Sequence, residues 1–300
     1  MRIKIISVCL GVFFALLILG LFRLLIIERQ KLSALSQKNC LRLLKQFGTR
    51  GKILDRNGEV IVDSYLSYDL LLSAADKKSA EPILMALARV LEVDSEDLKA
   101  KFRKNFSGAL IPAVLLSNIG LKKAIMLEEI KPDFPGLIIH PHPLRRYPYA
   151  SLACHTIGYV SEIDDWRLTK LEDYGYQTKD IVGYTGVEEK YDYYLRQEEG
   201  GLSLQVDHRG RFIEALGFRP PQNGWDVQLT IDLRIQKIAE AAFNKRKGSI
   251  IIMDPQSGEI IALASSPGFD PSLFVEKSDS SRIQDLFTDP DHALFNRAIN

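Results

Sequence analysis

The sequence has 300 residues, with 39 basic and 38 acidic side chains and a net charge of +1. That length exceeds one ordinary domain and suggests two or three. The charge balance excludes the basic stripe of a nucleic-acid-binding protein and the acidic bias of a disordered tail. Ile5 to Phe22 carries no charge, and Leu24 to Ile27 extends the run past Arg23. This is enough to cross a hydrocarbon core of roughly 30 Å at about 1.5 Å per residue. A signal-peptide core is shorter, usually ~7–15 residues, and ends in small residues. The Ser33-Ala34-Leu35-Ser36 stretch is a weak cleavage candidate lying beyond several charges, so an uncleaved anchor over residues 1–30 is expected. Arg2 and Lys4 precede the run, whereas Arg23, Arg29, Lys31 and Lys38 follow it, so the positive-inside count does not orient it.

Beyond the run, Leu35, Leu41 and Leu44 have roughly helical spacing, and a helix over 32–47, stopped by Gly48, is expected. Ile53 leads into Asp55-Arg56-Asn57-Gly58 and Val60 to Val62 leads out. Asn-Gly between apolar runs predicts a hairpin, because both residues tolerate positive φ. Tyr68 to Ser73 reads as a further strand. Ile83, Leu84, Leu87, Val90 and Leu91 share a face of a helix over 80–91, and Asp94 or Ser95 caps another over 92–106. Ile111 to Leu116 is a strand candidate. Ser117 or Asn118 is the expected cap of a helix over 121–130 that ends at Pro132. Leu137 to Ile139 is a short strand, and the prolines of 140–149 demand extended chain. A helix starts near Gly186, Gly200-Gly201 ends that pattern, and Leu202 to Val206 is a strand. Phe218 to Gly224 is rich in turn residues and reads as a linker. Asp226 to Ile231 alternates as a strand, Asp232 caps a helix with Ile235, Ile238, Ala239, Ala242 and Phe243 on one face, and Ser249–Met253 with Glu259–Ala264 form a second hairpin.

The cysteines are Cys9, Cys40 and Cys154. There is no CxxC and no metal-ligand spacing; Cys40 and Cys154 could pair in an oxidising compartment, which spacing alone does not decide. His140 and His142 flank Pro141 without further ligands and read as loop histidines. His155 lacks a nucleophile partner and reads as structural. Glu188 and Glu189, adjacent on a helix, face different ways and read as a surface pair or a buried partner for an arginine. Arg50, Asp55 and Arg56 read as charge-assisted braces of the first hairpin.

Taken in order, these segments resemble class B penicillin-binding proteins. Arg50-Gly51-x-Ile53-x-Asp55-Arg56-Asn57-Gly58 resembles the opening of that family's pedestal. Phe134-Pro135-Gly136, Arg146-Tyr147-Pro148, His155 and Gly158-Tyr159-Val160 are similar to its next block. Gly183-x-x-Gly186-Val187-Glu188, Tyr191 and Leu195-Arg196 are similar to the block after that, with Gln197 standing where the family has glycine. Thr230-Ile231-Asp232, Gln236, Met253-Asp254-Pro255-x-x-Gly258-Glu259-Ile260, Ser265-x-Pro267 and Phe295-Asn296-Arg297-Ala298-Ile299 resemble the entry of its transpeptidase domain. The spacing from Gly183 to Arg196 resembles the elongation type more than the division type.

The resemblance implies an α+β protein. It would have a single N-terminal transmembrane helix (1–30), an elongated α+β pedestal or dimerisation domain (31–217), and the incomplete start of a penicillin-binding α/β-sandwich transpeptidase domain (225–300). It also implies a soluble part outside the cytoplasmic membrane, stem peptides and β-lactams as ligands of the complete enzyme, and a SEDS-type glycosyltransferase and other elongation proteins as partners. No cofactor, metal or nucleic acid is implied. The family's serine sits in Ser-x-x-Lys, where one helical turn brings the lysine beside it. No serine in this sequence has lysine three residues later, and Ser-x-Asn and Lys-Thr-Gly are absent. The expected nucleophile lies beyond Asn300, so no catalytic, cofactor-binding or metal residue is assigned, and the chain by itself is expected to be inactive. A pedestal that docks its glycosyltransferase without chemistry of its own is the competing reading. Residues 225–300 are expected to be the less stable part, because so small a piece buries little of its surface and leaves strand edges open.

Overall fold

The computed structural model describes residues 2–29, 41–74, 76–108, 112–206, 212–276 and 280–299. They fall into two compact units, Met1–Gln46 with Glu199–Pro221, and Phe47–Glu198 with Gln222–Asn300. The chain opens with α1 (Arg2–Phe22), continued by a wider helical turn over Arg23–Ile27. The side chains described here, from Leu10 onward, include Phe13, Phe14, Leu16, Ile18 and Leu19, all exposed. Among the described residues no helix is long and apolar enough to cross a membrane, although the backbone of α1 is helical for 21 residues. Next comes β1 (Leu41–Gln46), where the spacing predicts helix. Residues 32–40 of that expected helix lie outside the described ones.

The second unit begins with the expected hairpin. β2 (Ile53–Leu54) and β3 (Val60–Leu72) pair antiparallel around Asp55–Gly58, with Gly58 at φ +83°. β3 runs unbroken for 13 residues, where the sequence reads as two strands. Its polar middle, Asp63 to Ser67, has no apolar alternation to announce a strand; it is held by a partner from far along the chain. After α2 (Lys77–Leu91), capped by reciprocal bonds between Asp76 and Ser79, and α3 (Ser95–Asn105), capped by Asp94, β4 (Ala113–Ile119) pairs with the end of β3. α4 (Leu121–Ile130) follows. The expected caps Ser117 and Asn118 do not serve it: Gly120 is its N-cap, and Asn118, at φ +57°, donates its N–H to Asp69 Oδ1 at 3.0 Å. β5 (Leu137–Arg146) then lies along the other side of β3, pairing every residue from Asp63 to Leu72. Extended chain was expected there, but not a ten-residue strand. Pro141 and Pro143 are tolerated because β5 pairs with β3 alone among the described strands, so it is an edge. The helices α2, α3 and α4 cover this sheet through Leu84, Leu87, Leu98, Phe102 and Leu127, packed on Leu70, Leu72, Leu115 and Leu137.

Six short elements come next: α5 (Cys154–Ile157), β6 (Val160–Glu162), α6 (Asp165–Leu171), β7 (Ile181–Gly183), α7 (Gly186–Lys190) and α8 (Asp192–Leu195). Most have no sequence signature, because three to seven residues are too few to show a period. β8 (Gly200–Val206) and β9 (Phe212–Arg219) then complete, with β1, the three-stranded antiparallel sheet of the first unit in the order β1-β8-β9.

Back in the second unit, the expected strand over 226–231 shrinks to β10 (Val227–Gln228), which pairs parallel with β2. α9 (Leu233–Ala242) is capped by Asp232 as expected, and β11 (Gly248–Met253) with β12 (Ile260–Ser266) forms the second hairpin. Ala239 of α9 and Phe243 at its C-terminal end pack on Ala262 and Ala264. α10 (Ser272–Glu276) and α11 (Ser280–Phe287) follow. Ile238, Ile251 and Met253 are exposed.

Candidate functional site

The strongest concentration of charge is buried where β5, α7 and α8 meet the chain entering β2. Glu188, fully buried, accepts Arg50 Nε on Oε2 at 2.8 Å and Arg145 Nε on Oε1 at 2.7 Å. Arg50 Nη2 also donates to Asp192 Oδ1 at 2.6 Å, and that oxygen accepts the Gly183 N–H at 2.8 Å. The other Asp192 oxygen accepts the Tyr176 hydroxyl. Arg145 Nη1 reaches the Gly51 carbonyl at 2.6 Å. Two guanidinium groups thus face two carboxylates, and the cluster is neutral as a whole. Burial alone would push the Glu188 carboxyl up, but Arg145 and Arg50 hold it below the usual range. Burial likewise opposes the charge on Arg50, and Glu188 with Asp192 outweighs it. Burial pushes the Tyr147 and Tyr176 hydroxyls up.

Of the residues singled out in the sequence, Glu188 is the arginine's buried partner, while Glu189 is exposed and meets Arg167 at 3.4 Å. Arg50 does not brace the hairpin; it belongs to this cluster. Arg145, Asp192 and Tyr176 were not legible. Arg146, of the Arg146-Tyr147-Pro148 motif, has an exposed side chain that pairs with Asp63. Neighbours on a strand point to opposite faces, so only one of the two arginines can enter the cluster.

A second constellation ties the first hairpin to residues 226–233. Asp55 accepts the backbone N–H groups of Asn57 at 2.7 Å, Glu59 at 2.8 Å and Leu233 at 3.3 Å. Burial opposes its ionisation, but these bonds hold its carboxyl below the usual range. The Arg56 N–H donates to the Ile231 carbonyl at 2.9 Å, and its side chain reaches Glu259 at 3.2 Å. Asp55 therefore braces its hairpin as expected, whereas Arg56 braces the neighbouring one. A Cβ on Gly51 would collide with the Trp225 carbonyl, so only glycine lets the two segments lie this close.

His155 is structural, as read. Its Nε2 meets the Ala293 carbonyl at 2.7 Å, so that nitrogen carries the proton, and Nδ1 is left to accept the Cys154 thiol at 3.4 Å. Burial pushes the Cys154 thiol up to about 12 and lowers the imidazole. Cys154 is free, so the pairing considered with Cys40 is not made; Cys40 itself lies outside the described residues. His140 packs on Phe47, and His142 meets Asn118 and Asp69. Among the described residues no cluster of histidine, cysteine or carboxylates could hold a metal ion.

What this geometry does is position: charges and backbone bonds lock one segment against another. That architecture is shared. The family model of the penicillin-binding protein dimerisation domain matches residues 45–229, and the chain belongs to that family. Its relatives narrow the class to the elongation type of class B penicillin-binding proteins. The peptidoglycan D,D-transpeptidase MrdA of Acinetobacter baumannii is 32% identical over 275 residues, 91% of this chain and 41% of the relative. MrdA of Escherichia coli K12 is 31% identical over 288 residues, 94% and 45% respectively. Among solved structures, penicillin-binding protein PBP2 of Helicobacter pylori in complex with MreC superposes with a TM-score of 0.73 at 26% identity, covering 86% of this chain and 48% of that one. A structure of a peptidoglycan synthase complex does so with a TM-score of 0.63 at 28% identity, covering 98% and 52%. The chain spans less than half the length of these curated relatives. The mixed α+β pedestal fold is the one expected.

Proposed function

We propose that the chain is the front of a peptidoglycan D,D-transpeptidase of cell-wall elongation. A single helix within residues 1–30 would anchor it in the cytoplasmic membrane, a pedestal over 31–217 would stand outside, and 225–300 would open the transpeptidase domain. The observation that carries this reading is the similarity to MrdA over nine-tenths of the chain. The anchor is supported by the uncharged run Ile5–Phe22, by the 21-residue helix α1, and by its exposed apolar side chains.

In such an enzyme a serine oxygen attacks the carbonyl of a D-alanyl-D-alanine amide. The terminal D-alanine leaves, and an amine of a neighbouring strand then attacks the resulting ester. This chain holds no Ser-x-x-Lys, so its share of that work is positioning. The Asp55 turn sets residues 226–233 against the first hairpin, and the cluster around Glu188 locks the segments of Arg50, Arg145 and Asp192 together. Partners in this reading are a SEDS-type glycosyltransferase and other elongation proteins. Support comes from the likeness to a protein solved with MreC and to one solved within a peptidoglycan synthase complex.

Fluorescent penicillin should leave the purified 300-residue chain unlabelled; covalent labelling would reveal a nucleophile that this reading denies. Overproduced in a rod-shaped bacterium with a related elongation machinery, the chain should compete for elongation partners and round the cells. Unchanged rods, with the chain abundant in the membrane, would overturn the elongation role.

A further inference from the structure

Beside the buried cluster, α6, α7 and α8 enclose a cleft open to solvent, with a volume of about 360 Å³. That volume lies within the ~300–1,000 Å³ of small-molecule sites. Its floor is rigid, because Tyr176 and Asp192 belong to the hydrogen-bonded cluster. Its rim is aromatic: Trp166 is 61% exposed, Tyr174 64% and Tyr193 73%. Three large rings left in water around one cleft are unusual for a surface with nothing to bind. Its charges are unequal in availability. Asp192 is taken by Arg50, and Glu189 by Arg167. Arg167 is itself stacked on Tyr184, 4.0 Å from the ring centre. Lys170 lies 3.7 Å over the Trp166 ring, and neither it nor Lys190 has a carboxylate partner among the described ion pairs.

Flat rings and two lysines without a carboxylate among the described ion pairs, one of them resting on a Trp166 face, suit a ligand with apolar ring faces and negative charge. The C–H face of a pyranose is apolar and slightly positive, which suits the negative face of an aromatic ring. Carboxylates attached to the same chain suit the lysines. We propose that this cleft binds a glycan strand bearing carboxylate-rich stem peptides, the sugar rings lying on Trp166, Tyr174 and Tyr193 and the peptide carboxylates meeting Lys170 and Lys190. This rests on the cell-wall reading above. The cleft would hold the strand on the pedestal.

The sequence has only two tryptophans, so Trp225→Phe makes Trp166 the sole indole reporter in the full chain. Three probes are titrated into that variant in detergent: short glycan strands with stem peptides, the same strands stripped of peptide, and free stem peptide. Trp166 emission should shift with the first, shift at higher concentration with the second, and stay put with the third. Lys170→Glu with Lys190→Glu should weaken binding of the peptide-bearing strands about tenfold and abolish their advantage over stripped ones, the scale expected for two exposed charge contacts. Tyr193→Ala should weaken both strands together. These side chains are exposed, so folding is preserved, which circular dichroism checks. No response to either strand, an equal response to free peptide, or an unchanged preference in the double lysine variant would overturn the proposal. Loss of binding with cell rounding intact would remove the cleft and leave the elongation role standing; binding without rounding would do the reverse.

Discussion

The lobe around Leu84 and Leu127 and the centre around Glu188 are equally dry, yet they are held by opposite means. The lobe is a cluster of apolar side chains between three helices and a sheet. Its attraction is non-directional and scales with area, so each residue contributes separately. The centre is four charges with fixed geometry, in which every group depends on the others. Such a cluster adds little net stability over a well-packed apolar core, because taking ions out of water offsets their attraction. What it adds is intolerance of error. One missing partner leaves a charge stranded, and the segments carrying Arg50, Arg145 and Glu188 have a single low-energy arrangement. A lobe can be repacked; this centre can only be kept or broken.

Breaking the centre should therefore cost most. Glu188→Ala strands two guanidinium groups and is expected to cost about 3–5 kcal/mol, read as a drop in the urea midpoint of the full chain in detergent. A loss below about 1 kcal/mol, the worth of an exposed pair, would remove the distinction drawn between the two cores. Acid offers a gentler version. The folded Glu188 carboxyl titrates below its ordinary 4.5, so its contribution is present above that pH and fades as pH falls through the folded value. Glu188→Gln should lose stability less steeply on acidification than the parent; parallel curves would show that the cluster does not carry this dependence.

The lobe should respond next. Leu127→Ala, in a fully buried position, is expected to cost about 2–5 kcal/mol with no acid dependence of its own. Acid dependence of that cost would mean that the two cores are coupled. Asp55→Ala leaves buried N–H groups without an acceptor and should cost about 1–3 kcal/mol, with faster proteolysis in 226–300 than in the lobe. Equal protection of both regions would show that the Asp55 turn does not hold that segment. Smallest of all, Arg56→Ala removes a pair with both partners over a third exposed and should shift stability by no more than about 1 kcal/mol.

Local chemistry determined a good part of this protein from its sequence. The Asn57-Gly58 turn, the helices begun by Asp94 and Asp232, and the hairpin around Asp254 to Gly258 are all written in residues that lie side by side. The buried role of Glu188 was open as one of two readings, and the ordered motifs carried the family. Tertiary structure decided the rest. Leu41–Gln46 has the spacing of a helix but becomes a strand because β8 offers it a partner from residues 200–206. The polar middle of β3 is extended only because β5 runs beside it. Between Arg145 and Arg146, strand alternation at the observed register chose which one entered the cluster, and Asp192 and Tyr176 joined it through loops without a period to read. Hydrogen bonds to a distant strand and the closure of charge around a buried carboxylate leave no mark in any short window of sequence, so they became visible only when the chain was folded.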